Sequence, residues 1–174
     1  ESGLTHVSPF GEADGTVQYV YGGDLLGNVW RFDINAGTVA PVVRLQTSST
    51  TPQPITVRPE LGSVTYNGTA YPVVMVGTGR YLHANDVSDT ALQSVYAIRD
   101  KLDSTGWGDV RSSTNLVAKS VTTSGSGTSL TRTATSNTKV DWANKAGWVF
   151  DLRPSSTATP EGQCLLRLGE FTLQ

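Results

Sequence analysis

The sequence predicts an all-β protein built from successive antiparallel hairpins, and three observations support this prediction. Charged residues make up only 16% of the 174 residues, whereas surface helices usually carry dense Glu/Lys pairs. The chain contains 18 glycines and 8 prolines, which mark frequent turns. Between those turns lie segments rich in aromatic and β-branched residues, and one alternates with a period of two, as a strand with one buried face does.

The first hairpin is predicted within residues 17–34. Residues 17–21 form a run of mostly aromatic and β-branched side chains, and a glycine-rich turn separates them from residues 28–34. In that second segment Trp, Phe and Ile alternate with Val, Arg and Asp. The aromatic face is therefore expected to be buried and the other face exposed to water. A further short strand is expected at residues 41–45.

A second hairpin is signalled by Asn67-Gly68, the pair that best tolerates positive φ at both central positions of a type I′ turn. It joins strands predicted at residues 63–66 and 69–72. Residues 112–138 contain fifteen Ser or Thr and no aromatic residue, which predicts a long loop or a weak hairpin with its best strand at 116–121. The remaining strands are predicted at residues 73–76, 93–99, 147–152 and 163–168.

An aromatic residue recurs on strands that end in aspartate, which suggests a loose repeat. The segments containing Trp30, Tyr96 and Trp148 have this form, at spacings of 66 and 52 residues. β-Propeller blades of about 40 to 50 residues with loop insertions would give such intervals. About three blades fit the chain, whereas closed propellers have about 4 to 8. We therefore expect residues 1–174 to be a fragment of a single β-propeller domain. The aromatic residues expected between its sheets are Trp30, Phe32, Tyr96, Trp148 and Phe150.

Composition excludes several classes of protein. The net charge is −2 and the pI is about 5.6, which argues against a nucleic-acid binder, since such proteins usually carry a basic face. The single cysteine, Cys164, cannot form an intrachain disulfide or a cysteine-based zinc site. No stretch reaches the roughly 18 to 20 apolar residues of a membrane span. No Ser-His-Asp set, phosphate-binding glycine loop or convergent carboxylate pair is recognisable, so the chain is not expected to be an enzyme.

Several segments occur in a characteristic order, at residues 19–33, 54–59, 76–82 with Asp86, 93–100, and 140–142 followed by 147–152. Together they resemble the C-terminal propeller of the PilC/PilY family of type IV pilus biogenesis and tip-adhesin proteins. The first contains the pattern Gly-Asp-x-x-Gly-Asn-x-Trp, which quinoprotein propellers share in part. The ordered set, which spans most of residues 17–152, makes the resemblance more specific than that pattern alone.

The resemblance implies a non-catalytic binding and assembly module of a pilus-tip-associated protein that supports pilus biogenesis and surface adhesion. It implies an exported protein at the bacterial cell surface, pilus tip or outer membrane, with pilus components and a host or abiotic surface ligand as partners. Because about three blades cannot close a propeller ring, we also expect self-association through exposed strand edges, or shielding of an edge by residues 112–138. The alternative is a fragment of a quinoprotein dehydrogenase-like propeller enzyme, which the single cysteine disfavours.

The pattern at Asp24, Gly27, Asn28 and Trp30 is interpreted as structural. Asp24 can accept hydrogen bonds from amides of the following turn, and Gly27 supplies a left-handed backbone there. Trp30 is large enough to anchor a contact between sheets. We therefore expect these residues to build a blade rather than to bind a ligand.

Calcium is the one cofactor that the resemblance suggests, because family members can carry a calcium loop just before this strand. In this chain Glu12, Asp14 and Thr16 match ligand positions of such a loop. The first and last ligand positions hold Phe10 and Gln18, where carboxylates are expected. Two anionic ligands are thus missing, and calcium affinity depends on the number of charged ligands. Any calcium site here is expected to be weak.

Overall fold

The computed structural model describes residues 2–11, 14–47, 51–112, 114–125, 131–134 and 138–152. Within these ranges the regular structure consists of strands and two short 3₁₀ turns, Ala84–Ser88 and Val110–Ser112. The strands are β1 (Leu4–Gly11), β2 (Val17–Asp24), β3 (Asn28–Asp33), β4 (Thr38–Arg44), β5 (Glu60–Tyr66), β6 (Thr69–Gly77), β7 (Ser94–Arg99), β8 (Leu116–Lys119), β9 (Val121–Ser124), β10 (Thr131–Ala134) and β11 (Gly147–Asp151).

The strands form two large sheets and one small one in the described part of the chain. The first sheet has the order β1-β2-β3-β4 and is antiparallel throughout. The second has the order β5-β6-β7-β11-β8, in which β11 pairs antiparallel with β7 and parallel with β8. Strands β9 and β10 pair only with each other. The described part of the chain is all-β, and its two large sheets are blades of a partial β-propeller, as the sequence predicts.

The main hydrophobic core lies between the two large sheets. The first sheet and the connection that follows it contribute Tyr21, Val29, Val42, Val43, Leu45 and Ile55. The second sheet and its loops contribute Val74, Val76, Tyr96, Ile98, Val110, Ala146 and Val149. All of these side chains are buried, so the removal of their apolar surface from water holds the sheets face to face.

Strand β3 presents its faces in the opposite sense to the sequence prediction. Val29 is fully buried and Arg31 is only 8% exposed, since both face the second sheet. Trp30 and Phe32 lie on the other face and are half-buried, so the prediction that they pack between the sheets was wrong. A period of two identifies two faces but does not say which one turns inward. The inward face here carries a charged side chain whose partner, Asp100, directly follows β7.

The aromatic residues of the second sheet divide in the same way. Tyr96 is fully buried in the main core, which confirms the prediction for this residue. Trp148 and Phe150 are half-buried and pack on the opposite face of the sheet, against a smaller buried cluster. That cluster consists of Val73, Met75, Val95 and Ala97.

Turn chemistry gave the most accurate local predictions. Asn67 and Gly68 have φ values of 48° and 76°, which confirms the positive φ at both positions expected of a type I′ turn. Strand β1 was not predicted, because residues 4–11 include Pro9 and lack regular alternation; the segment is a strand through its pairing with β2. The strand predicted at 163–168 lies outside the described residues.

The Ser/Thr-rich region contains three short strands in its described parts. Strand β8 joins the second sheet at its edge, and β9 and β10 form a separate antiparallel hairpin. No helix in the described part of the chain is long and apolar enough to cross a membrane.

Gly27 provides a test of how closely the β2–β3 turn approaches the rest of the chain. A Cβ atom at Gly27 would lie 2.3 Å from the Leu45 carbonyl oxygen, whereas one at Gly37 would meet nothing within 4 Å. Both glycines have positive φ, 80° and 65°. We expect Gly37→Ala to cost about 1 to 2 kcal/mol through backbone strain alone. Gly27→Ala should cost a further 1 to 3 kcal/mol, roughly, through overpacking. Urea denaturation measures both, and equal losses would contradict the close approach.

Candidate functional site

The Asp24 turn brings together the residues that the sequence pattern singled out. The buried Asp24 carboxylate accepts the backbone amides of Leu26 and Asn28, both at 2.9 Å. Its second oxygen accepts the Asn28 side-chain amide at 2.8 Å and the Trp30 indole N–H at 3.0 Å. Gly27 lies in the same turn with its backbone left-handed. All four hydrogen bonds to the carboxylate are thus donated by groups within six residues of it.

This turn is docked onto the connection between the two large sheets. The amide of Leu45 donates to the Gly27 carbonyl at 2.7 Å, and the amide of Ile55 donates to the Asp24 carbonyl at 3.0 Å. Gly23 packs so closely on Ile55 that an added Cβ would lie 2.3 Å from its Cγ2 atom. The contacts of the turn therefore lie within the fold, as those of a structural motif do.

Trp30 also borders a shallow groove of about 310 Å³ on the outer face of the first sheet. Phe32 lines the same groove, together with Leu4 and Val39, which are 48% and 57% exposed. The indole is held in place by its hydrogen bond to Asp24. The outer face of this sheet is consequently apolar and partly exposed in the described structure.

A buried ion pair joins the two large sheets. One terminal nitrogen of Arg31 (Nη1) lies 2.8 Å from both carboxylate oxygens of Asp100, whose side chain is 1% exposed. The other terminal nitrogen donates to the carbonyl of Asp103 at 2.9 Å. Asp100 also accepts the Tyr21 hydroxyl and the Leu102 amide, each at 2.8 Å. A single carboxylate thus bonds to two strands of the first sheet and to the loop after β7.

The titration behaviour of this cluster follows from its burial. Burial, together with the neighbouring negative charge of Asp100, raises the pKa of Tyr21 far above its usual value. Burial alone would lower the pKa of Arg31, but the hydrogen bond and the charge of Asp100 raise it. Tyr21 and Arg31 therefore both remain protonated hydrogen-bond donors across the physiological pH range.

A second hydrogen-bond network crosses the interior near Tyr96. The Tyr96 hydroxyl donates to the side-chain carbonyl of Gln53, and the Gln53 amide donates to the carbonyl of Leu92 at 2.7 Å. Ser94 and Arg111 both donate to Asp151, at 2.7 and 2.6 Å. Burial raises the pKa of the Tyr96 hydroxyl to about 12, so it stays protonated and holds Gln53. This network holds Gln53, which lies in the connection between the two large sheets, against β7.

The candidate calcium loop is described only in part. Asp14 is exposed, and one of its oxygens accepts both the amide and the hydroxyl of Thr16, at 2.9 and 2.7 Å. These hydrogen bonds lower the pKa of Asp14. Glu12 lies outside the described residues. The half-buried Phe10 ring, at the first ligand position, packs edge-on against Tyr21 at a centroid distance of 6.5 Å.

A second acidic loop, at residues 82–89, caps its own backbone. Asp86 accepts the amides of Leu82 and His83 at 2.8 and 2.9 Å and pairs with Arg80 at 3.0 Å. Those two amides are the main cause of its lowered pKa. Among the described residues, no group of three or more His, Cys, Asp or Glu is placed to hold a metal ion.

The roles of Asp100 and Arg31 are not evident from the sequence. Asp100 is the aspartate that ends the repeat segment containing Tyr96, and the strand pattern predicts that Arg31 lies on an exposed face. One signal was available in the sequence. Arg31 follows Val29 by two residues, so both lie on the same face of β3. If that face is buried, the arginine requires a carboxylate from elsewhere in the chain. The sequence does not say which carboxylate it is.

The fold and these sites define a β-propeller module whose buried polar side chains hold its sheets and turns together. No family model matches the chain. A type IV pilus biogenesis factor PilY1 homolog of Xylella fastidiosa is 37% identical over 103 residues, which cover 58% of this chain and 8% of that protein. Type IV pilus biogenesis factor PilY1 of Pseudomonas aeruginosa is 31% identical over 120 residues, covering 51% of this chain and 10% of the relative.

The crystal structure of the Pseudomonas aeruginosa PilY1 C-terminal domain has a TM-score of 0.75 to this chain, at 24% identity. The match covers 95% of this chain and 41% of that domain structure, so it bears on the fold. Together with the sequence matches, it shows that the chain is similar to part of the C-terminal domain of PilY1 proteins, in agreement with the resemblance to the PilC/PilY family. The chain spans about a tenth of the length of these curated relatives.

Removing the charge of Asp100 should strongly destabilise the protein. Asp100→Asn leaves Arg31 buried without a counterion, and such a change costs about 3 to 5 kcal/mol. Asp103→Asn is the matched control, since the asparagine oxygen can still accept the Thr105 and Gly106 amides and the main loss is a partly exposed ion pair with Lys101, worth about 0 to 1 kcal/mol. Urea denaturation measures both losses. If adding Arg31→Met to Asp100→Asn restores no stability, the loss does not come from an unpaired charge.

Proposed function

We propose that this chain is a non-catalytic binding and assembly module in the C-terminal propeller of a type IV pilus tip-associated protein. The observation that carries the proposal is the sequence similarity to two PilY1 proteins, supported by the matching fold. Within the described residues, the Asp24 and Asp100 carboxylates are fully engaged in holding turns and sheets. That arrangement suits a scaffold that presents a surface better than it suits a reaction centre.

The whole protein would act at the cell surface or pilus tip and support pilus biogenesis and surface adhesion. Its partners would be pilus components and a host or abiotic surface ligand. Self-association through strand edges belongs to the same proposal. One edge is already covered, because Trp107 and Gly108 exchange backbone hydrogen bonds with Val42 and Arg44 of β4.

The role in pilus biogenesis is tested in a type IV piliated bacterium that lacks its own copy of the parent protein. Full-length protein carrying Gly37→Ala should restore surface pili and attachment to glass, whereas Gly27→Ala should restore less of both because the blade is destabilised. Pilin in the sheared surface fraction and counts of attached cells are the measurements. Normal pili and attachment after deletion of residues 2–152 would contradict the proposal.

Calcium binding through Glu12, Asp14 and Thr16 remains a prediction of the resemblance. Calorimetric titration with Ca²⁺ should give weak binding that Asp14→Ala abolishes, since a carboxylate ligand is lost. Binding that persists in Asp14→Ala would place calcium elsewhere.

The enzymatic alternative is tested on the same protein samples. A quinoprotein fragment would show new absorbance when the quinone and calcium are added together.

A further inference from the structure

A cleft of about 420 Å³ opens between the two large sheets at the end where β1 finishes and β2 begins. This lies at the opposite end of β2 from the Asp24 turn. Its size falls within the range of small-molecule sites, which are about 300 to 1,000 Å³ and often lie where two packed units meet. The side chains that matter for its chemistry are Phe10, Gln18, Tyr19, Ser63, Pro72 and Leu102.

One wall of the cleft is aromatic, and the buried Tyr21 holds it in place. Phe10 and Tyr19 both make edge-on contacts with Tyr21, at centroid distances of 6.5 and 6.4 Å. Tyr21 is fully buried and its hydroxyl is bonded to Asp100, so it cannot turn away without breaking that bond. The guanidinium of Arg31 lies 5.5 Å from the centre of the Tyr19 ring and holds the ring by a cation–π contact.

Asp100 also fixes the opposite wall. It accepts the amide of Leu102, whose φ of 58° is in the left-handed region that residues with a side chain rarely adopt. Such a conformation persists only where the surroundings impose it, and strained residues of this kind concentrate at functional sites. One buried carboxylate therefore holds Leu102, Tyr21 and, through Arg31, the Tyr19 ring. The cleft is preorganised by the ion pair that joins the sheets.

The lining has the chemistry of a site for a neutral, hydroxylated ligand. None of the described lining residues carries a formal charge at pH 7. Gln18 and Ser63 can each donate and accept hydrogen bonds, as sugar hydroxyls do. The negative face of a ring such as that of Tyr19 attracts the weakly positive C–H groups on one side of a pyranose. We propose that this cleft binds an uncharged sugar ring.

This inference deepens the proposed adhesion function by naming a ligand class, and it rests on that function only for its biological use. Sugar binding is measured on the isolated chain, whereas pilus assembly is measured in cells. A chain that binds no sugar would therefore leave the role in pilus assembly intact, and a chain with no role in pilus assembly would leave sugar binding intact.

The test uses methyl glycosides of glucose, galactose, mannose and N-acetylglucosamine, with saturation-transfer NMR and calorimetry as readouts. At least one should bind. Tyr19→Ala should weaken that binding roughly three- to tenfold, the equivalent of one lost aromatic contact, whereas Tyr19→Phe should retain it. Tyr81→Ala is the matched control, because Tyr81 is a 57% exposed tyrosine that does not line the cleft. Thermal melting checks that each variant is folded.

Gln18→Ala and Ser63→Ala keep the test decisive if Tyr19→Ala fails to fold, because they remove polar groups of the lining without touching the aromatic cluster. Each should weaken sugar binding several-fold. The proposal is overturned if none of the four sugars binds, or if binding is unchanged in Gln18→Ala and Ser63→Ala. It is also overturned if glucuronate or glucosamine binds more tightly than the neutral sugars, since the site would then select a charge.

Discussion

The buried pair between Arg31 and Asp100 is the interaction on which the rest of this structure depends. Transferring two charges from water to the protein interior is costly, and it is tolerated only where the geometry is good and the remaining hydrogen-bonding groups are satisfied. Asp100 meets that requirement by accepting the Tyr21 hydroxyl and the Leu102 amide as well as the guanidinium. The ion pair therefore sets the relative position of the two sheets with a precision that apolar packing alone does not provide.

The orientation of β3 agrees with this constraint. If hydrophobicity alone decided which face of β3 is buried, its aromatic side chains would face inward, because burying them is more favourable than burying Val29 and Arg31. With Arg31 turned inward to Asp100, the alternation of the strand places Trp30 and Phe32 on the outer face. Trp30 then finds its hydrogen-bond acceptor at Asp24. The apolar outer surface of the first sheet is thus linked to the polar contact made on its inner surface.

The three aspartates that end the repeated strands show how context decides the role of one residue type. Asp33 accepts the amide of Ala36 in an exposed turn. Asp100 is buried and carries the ion pair, and Asp151 accepts hydrogen bonds from Ser94 and Arg111. The three segments share an aspartate at the end of a strand, where its short side chain can accept hydrogen bonds from nearby amides. Which further donors arrive depends on the neighbouring element.

The all-β class, most of the strands and the Asn67-Gly68 turn follow from the sequence alone, because period-two patterning and positive φ are local properties. The sequence also indicates that Asp24, Asn28 and Trp30 belong to one turn, since they lie within six residues of one another. The packing of the two sheets, in contrast, sets which face of β3 is buried, makes Asp100 the counterion of Arg31, and brings Tyr19 and Leu102 to one cleft. Arg31 and Asp100 are 69 residues apart. Contacts over that separation depend on how the sheets pack, and local residue preferences do not encode that choice.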